Sequence, residues 1–221
     1  MAVGFIGLGN LGRAMATRLA GQGVELVVWN RTTQKAEQLK SELQQGAKVT
    51  VASSPREIAE QTKYVFLNLF DSGAVHDVLM NRDGLLSGDC SGQVIIDTTT
   101  NHFSTVLRFY ELASEVGAEY LEAPVMGSVI PASQGALTIL VSGSPQTYER
   151  AKPYLEMSAK TIHFMEQPAL ATKMKLINNL VLGSFMATLA EAVTLGEAAG
   201  VPRDRVLDVL ATGAGNSAVL T

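Results

Sequence analysis

Residues 173–179 read KMKLINN, placing two ammonium groups and two amides inside an otherwise apolar, periodic stretch. Lys175 and Asn179 are four apart, so on a helix they share one face. An ammonium there could donate a proton to a carbonyl under reduction and stabilise the developing alkoxide. The Asn179 amide, donor and acceptor at once, could hold the ammonium or the substrate oxygen in register. The same spacing also suits a solvated first helical turn whose lysines reach over apolar surface. Spacing alone leaves both open.

A second candidate is GLGNLG, residues 7–12, between a strand-like run and a helical pattern. In that setting Gly7 allows a tight turn, Gly9 lets backbone approach a pyrophosphate, and Gly12 lets helix and strand pack closely. Asn10 and Leu11 begin a helix whose free N–H groups and dipole favour an anion. About 20 residues on, where an NAD site carries a carboxylate for the ribose, this chain has Asn30, Arg31 and Thr32. Asn30 and Thr32 can hydrogen-bond to a 2′-phosphate and Arg31 can pair with it, so NADP (NADPH) is expected in preference to NAD. A third candidate is PVMGS, where Met126, Gly127 and Ser128 follow a strand. Consecutive backbone N–H groups there could form an anion-binding nest for a carboxylate, or the glycine could simply relieve a tight connection.

The elements that must carry these residues alternate. Apolar runs VGFIGL, ELVVWN, KVTV, YVFLNL, QVIIDTT, YLEAPV, LTILVSG and TIHFM are separated mostly by helical patterns through about residue 165. Val- and Ile-rich runs without polar alternation suit strands covered on both faces. The expectation is an α/β fold, a Rossmann-type doubly wound, mainly parallel sheet over residues 1–165. From Ala169 to Gly200 apolar residues recur every three or four with no strand signal, which predicts one long inter-domain helix. Gly200 and Pro202 stop it, and PRDRVLDVLATG starts another. Residues 166–221 are thus expected to form that helix and part of an all-helical C-terminal domain.

The 17 basic and 21 acidic side chains give a net charge of −4, with no basic run, so no nucleic acid partner is expected. One cysteine, Cys90, and three widely spaced histidines imply a reducing compartment and no metal. With no basic leader and no uninterrupted apolar run near the roughly 20 residues of a membrane span, a cytoplasmic protein without membrane contact is expected. The apolar flank SFMATLAEAVTL calls for a cover, which predicts a homodimer.

These blocks in order, FIGLGNLGRAMATRLA with VVWNRT and VIIDTTT, then EAPVMGSVIPASQGALTILVSG and KMKLINNLVLGSFMATLAEAVTLGEAAG, resemble the β-hydroxyacid dehydrogenase family over the whole chain. The resemblance implies an NADPH-dependent reductase of small carboxylated aldehydes, of the glyoxylate or succinic semialdehyde type, equivalently a hydroxyacid dehydrogenase. It implies Lys175 and Asn179 as catalytic residues and Gly7, Gly9, Asn10, Leu11, Gly12, Asn30, Arg31, Thr32, Leu69, Phe70 and Thr100 at the cofactor. Met126, Gly127 and Ser128 are implied at the substrate, with Lys173 as a flanking charge that helps attract an anion. The alternatives are a non-catalytic NADP-binding or scaffold protein of the same fold, or an imine reductase. The chain departs from the family in four ways. Met126 replaces a serine, Phe70 replaces a proline, Ala169 and Ala171 replace two glycines, and family members usually run well beyond residue 221. With alanines there, the helix start is expected to use ordinary backbone angles or to be rebuilt.

Overall fold

A computed structural model describes residues 2–43, 46–213 and 215–217. Six strands, β1 (Val3–Ile6), β2 (Leu26–Trp29), β3 (Val49–Val51), β4 (Tyr64–Leu67), β5 (Val94–Asp97) and β6 (Glu119–Glu122), form one sheet. Its order is β3-β2-β1-β4-β5-β6, with every pair parallel. Helices α1 (Asn10–Gly21), α2 (Thr33–Leu43), α3 (Pro55–Gln61), α4 (Ser72–Met80) and α5 (Phe103–Glu115) make the crossovers. This is the Rossmann order, which reverses direction between β1 and β4.

The period of two along each strand divides the core between the faces. Val3, Phe5, Val28, Phe66, Val94 and Ile96 pack on one side, and Ile6, Val27, Val65, Leu67 and Ile95 on the other. Because both faces are covered, β1 and β5 are buried at all four positions, which is why their sequences do not alternate.

The run YLEAPV is not one strand. Ala123 N–H still donates to Asp97 O at 2.7 Å, but the Pro124 carbonyl accepts from Leu140 N–H at 3.0 Å. Lacking an N–H, Pro124 cannot extend the parallel ladder. There the chain leaves the large sheet for a second one, β7 (Val125–Met126), β8 (Leu137–Val141) and β9 (Ala159–Phe164), in the order β7-β8-β9. Helices α6 (Val129–Gln134) and α7 (Pro145–Ser158) belong to this part, and Leu137, Ile139, Val141 and Leu155 join the first core face.

The long helix, α8, runs Leu170–Ala198, and α9 runs Arg203–Thr212. The chain divides into two compact units, Met1–Lys175 and Leu176–Thr221. In the second unit α8 exposes Ile177, Leu180, Phe185, Met186 and Leu195. By length and composition α8 is apolar enough to cross a membrane, with mean hydropathy 1.4 over its most apolar window. That differs from the sequence expectation, because isolated charges such as Glu191 interrupt the run without much lowering the average.

Candidate functional site

The turn after β1 is built around contacts that tolerate no side chain. Gly7 has φ 97°, and a Cβ there would lie 2.2 Å from the Asn68 carbonyl oxygen. A Cβ on Gly12 would lie 2.1 Å from the Gly7 carbonyl oxygen. Those two glycines therefore set strand-to-strand and helix-to-strand approach at the β1/β4 switch point. Gly9 differs, since a Cβ there would meet nothing within 4 Å. It is the N-cap of α1, with no side-chain cap and no acidic residue in the first turn. An uncapped, uncharged helix N-terminus opening onto free space fits a pyrophosphate.

Asn30, at the end of β2, is largely committed to the protein. Its Oδ1 accepts from Leu8 N–H at 2.9 Å and its Nδ2 donates to Thr32 O at 3.0 Å. It braces the glycine turn, a role its position in the sequence did not suggest. Arg31 and Thr32 are exposed.

The loops after β4 and β5 are tied together. Asn68 Nδ2 donates to Thr98 Oγ1 at 2.9 Å, and Leu69 N–H donates to Thr99 Oγ1 at 3.0 Å. Asp97 is fully buried and accepts from Thr99 N–H at 2.9 Å, Asn101 Nδ2 at 2.7 Å and Tyr120 OH at 2.5 Å. Burial pushes its carboxyl above the usual range, opposed by those donors. Thr100 is exposed between anchored neighbours, and Phe70 is 93% exposed. Gly7, Asn30, Leu69 and Thr100 thus follow the C-terminal ends of β1, β2, β4 and β5, the edge where ligands bind in such sheets.

Met126 lies in β7, Gly127 has φ 126°, and Ser128 is extended at φ −117° and ψ −164° as the N-cap of α6. Alternating right- and left-handed helical residues, which a backbone nest requires, are not the conformation here. The glycine serves the turn, since a Cβ would sit 2.8 Å from Leu137 Cδ2. The exposed Ser128 hydroxyl makes no capping bond and is the polar group this segment offers.

The start of α8 corrects an expectation. Ala169 takes φ 68°, the left-handed region, although it is not glycine, while Ala171 has an ordinary negative φ. Three buried bonds hold the conformation. Glu122, 1% exposed, accepts from Ala169 N–H at 2.5 Å and from Thr172 N–H at 3.0 Å, and Ser142 Oγ accepts from Ala171 N–H at 2.9 Å. The Tyr110 hydroxyl is 3.0 Å from Glu122 Oε1 and 2.8 Å from the Ser142 carbonyl oxygen. Burial, then the Glu122 charge, push this phenol's pKa up, so it stays a donor.

Lys175 follows within α8. It is half-buried, has no hydrogen-bond or ion-pair partner among the described residues, and burial lowers its pKa from the ordinary lysine value. Asn179 is exposed on the same helix one turn later. Lys173 is exposed, with its ammonium 6.0 Å over the Phe103 ring, a cation–π contact. Sequence reasoning passed over Asn68, Asp97 and Glu122. The signal was there, in polar residues closing the apolar runs YVFLNL, VIIDTTT and YLEAPV.

Residues 2–166 match the family described as the NAD binding domain of 6-phosphogluconate dehydrogenase. Residues 170–221 match that described as NAD-binding of NADP-dependent 3-hydroxyisobutyrate dehydrogenase. Glyoxylate/succinic semialdehyde reductase 1 of Arabidopsis thaliana is 36% identical over 214 residues, covering 97% of this chain and 72% of that protein. The chain belongs to the β-hydroxyacid dehydrogenase family. It is a nicotinamide-dinucleotide oxidoreductase of the class acting on CH–OH groups. The chloroplastic glyoxylate/succinic semialdehyde reductase 2 of the same plant is 33% identical over 217 residues, 98% of this chain and 59% of that protein. A solved structure titled Psf3 in complex with NADP+ and 2-OPP superposes with TM-score 0.88 at 30% identity, over 99% of this chain and 76% of that one. The match over residues 170–221 makes α8 an element of this dehydrogenase family.

Proposed function

We propose that this β-hydroxyacid dehydrogenase reduces small carboxylated aldehydes of the glyoxylate or succinic semialdehyde type, with NADPH preferred over NADH. The observation that carries this reading is Lys175, a half-buried ammonium without a partner among the described residues and with its pKa lowered by burial. A structural lysine would be paired or fully hydrated, whereas a proton donor must be free and tuned toward the working pH.

When bound, reduced nicotinamide would supply the hydride that the carbonyl carbon takes up. The Lys175 ammonium stabilises the carbonyl oxygen as it gains electron density, then gives it a proton and is left as the neutral amine, so hydride and proton together complete the alcohol. Asn179, one turn along α8, orients that oxygen or the amine. The α1 N-terminus beyond Gly9 holds the pyrophosphate, with Asn10, Leu11 and Gly12 supplying N–H groups. Arg31 and Thr32 take the 2′-phosphate, and no carboxylate at position 30 repels it. Leu69, Phe70 and Thr100 border the nicotinamide half. Ser128, next to Gly127 and Met126, donates to the substrate carboxylate. The similarity to two glyoxylate/succinic semialdehyde reductases supports the substrate class, and the NADP+ named with a structural relative supports the cofactor. A homodimer covering the apolar side of α8 completes the proposal.

The test follows reduced-nicotinamide absorbance with NADPH and with NADH, offering glyoxylate, succinic semialdehyde, tartronate semialdehyde and a cyclic imine. Faster NADPH oxidation with one of the first two supports the reading. A cyclic imine outperforming every aldehyde, or NADPH bound without any turnover, would replace it with imine reduction or a binding role.

A further inference from the structure

The cap on α8 does not come from its own neighbourhood in the chain. Helices usually start on a Ser, Thr, Asp or Asn immediately before the first turn. Here residues 166–168 are Glu, Gln and Pro, and the acceptor is the carboxylate of Glu122, 47 residues before Ala169. Each carboxylate oxygen takes one backbone N–H of the first turn, in a site where Glu122 is 1% and Ser142 0% exposed. A buried carboxylate meeting a helix N-terminus through two charge-assisted bonds is a strong and directional attachment.

Glu122 is also fixed from its own side. It exchanges backbone bonds with Ser142, N–H to carbonyl at 3.1 Å and 3.0 Å, and Tyr110 spans the pair. Four residues downstream is Met126, the start of the segment assigned above to the substrate carboxylate. Three residues beyond the second anchored N–H, Thr172, is Lys175, about 4.5 Å further along the axis. One side chain therefore ties the segment proposed for one end of the substrate to the helix proposed to protonate the other.

We infer that Glu122 is a positioning residue for the reduction, setting the register of Lys175 against residues 126–128 by holding the first turn of α8. This rests on the reading of Lys175 as proton donor. Misplacement by the order of 1 Å costs on the order of 100-fold in rate while cofactor contacts made elsewhere are untouched.

The experiment compares the whole chain with Glu122→Gln, Glu122→Ala and Lys175→Ala. It records kcat and KM for the preferred aldehyde and NADPH affinity, each well below the variant's melting point, and thermal unfolding separately. The amide of Glu122→Gln keeps one acceptor for the helix, and Glu122→Ala keeps none. The expected result is kcat falling in the order parent, Gln, Ala, by tenfold to 100-fold overall, with NADPH affinity unchanged. A cap of purely structural value would lower the melting temperature and leave kcat of the folded protein at the parent level, which overturns the proposal while Lys175→Ala remains inactive. Should both Glu122 variants fail to fold, Ser142→Ala removes only the acceptor for Ala171 N–H and carries the same comparison. Near-normal turnover by Lys175→Ala, or no turnover by the parent with any aldehyde, removes the reading on which the inference stands.

Discussion

The side-chain oxygen of Asn30 accepts a hydrogen bond from Leu8 N–H at 2.9 Å, so the end of β2 holds the glycine turn that follows β1. The same amide donates to Thr32 O at 3.0 Å. Asn30→Asp would keep the first bond, turn the second into an oxygen–oxygen clash, and place a negative charge where a 2′-phosphate is proposed. NADPH affinity is expected to fall on the order of tenfold or more, with NADH affected less. Arg31→Ala is expected to weaken NADPH alone, by a similar factor. Fluorescence titration with both cofactors checks the ratio.

The two glycines at the start of α1, Gly9 as its N-cap and Gly12 in its first turn, should respond in opposite ways. Gly12→Ala places a methyl 2.1 Å from the Gly7 carbonyl and is expected to cost roughly 3 kcal/mol of stability. Gly9→Ala meets nothing within 4 Å and is expected to cost at most about 1 kcal/mol, mainly for the poorer N-cap, while abolishing dinucleotide binding. Urea unfolding beside NADPH titration separates folding glycine from binding glycine. Intact binding by Gly9→Ala would move the pyrophosphate away from α1.

At Ala169 three effects nearly cancel. Glycine would relieve a left-handed residue by about 1–2 kcal/mol. It would also lose a buried methyl, about 0.8 kcal/mol, and gain unfolded-chain entropy, about 0.4–1 kcal/mol. Ala169→Gly is therefore expected to change stability by less than about 1 kcal/mol, whereas the β-branched Ala169→Val, with φ 68° in a buried site, should cost more than about 2 kcal/mol. Chemical denaturation of both variants is the check.

The pH dependence follows from the direction of the Lys175 shift. Burial lowers its pKa, so the ammonium needed for reduction is lost as pH rises through a value below the ordinary lysine pKa of about 10.4. The reduction rate should show a descending limb there, absent from the residual rate of Lys175→Ala. For stability the sign is opposite to that of a paired lysine. The cost of burying the charge is present in full below the folded pKa and relieved as pH rises through it toward the unfolded value. Lys175→Met should thus gain stability over the parent near neutrality and lose that advantage at high pH.

Most of the frame was legible in sequence for physical reasons. Double-sided burial makes parallel strands uninterrupted apolar runs, as in VGFIGL and VIIDTT, and a dinucleotide turn must spend its glycines where Gly7 and Gly12 stand. The period of 3.6 revealed α8 to within two residues at its C-terminal end. What escaped was tertiary. The break at Pro124 depends on which sheet each backbone group pairs with. The left-handed Ala169 depends on Glu122, far away in the chain, and an alanine in place of glycine points toward ordinary angles when that acceptor is out of view. The partner of Asn30 is likewise set by the return of β1 beside β2, so its amide read as available to ligand.

The most direct measurement is turnover by Lys175→Ala with saturating NADPH and the preferred aldehyde, alongside its affinity for NADPH. The expected result is a loss of roughly 10²–10⁴-fold in kcat with cofactor binding intact. Near-normal turnover would contradict it and remove Lys175 as the proton donor.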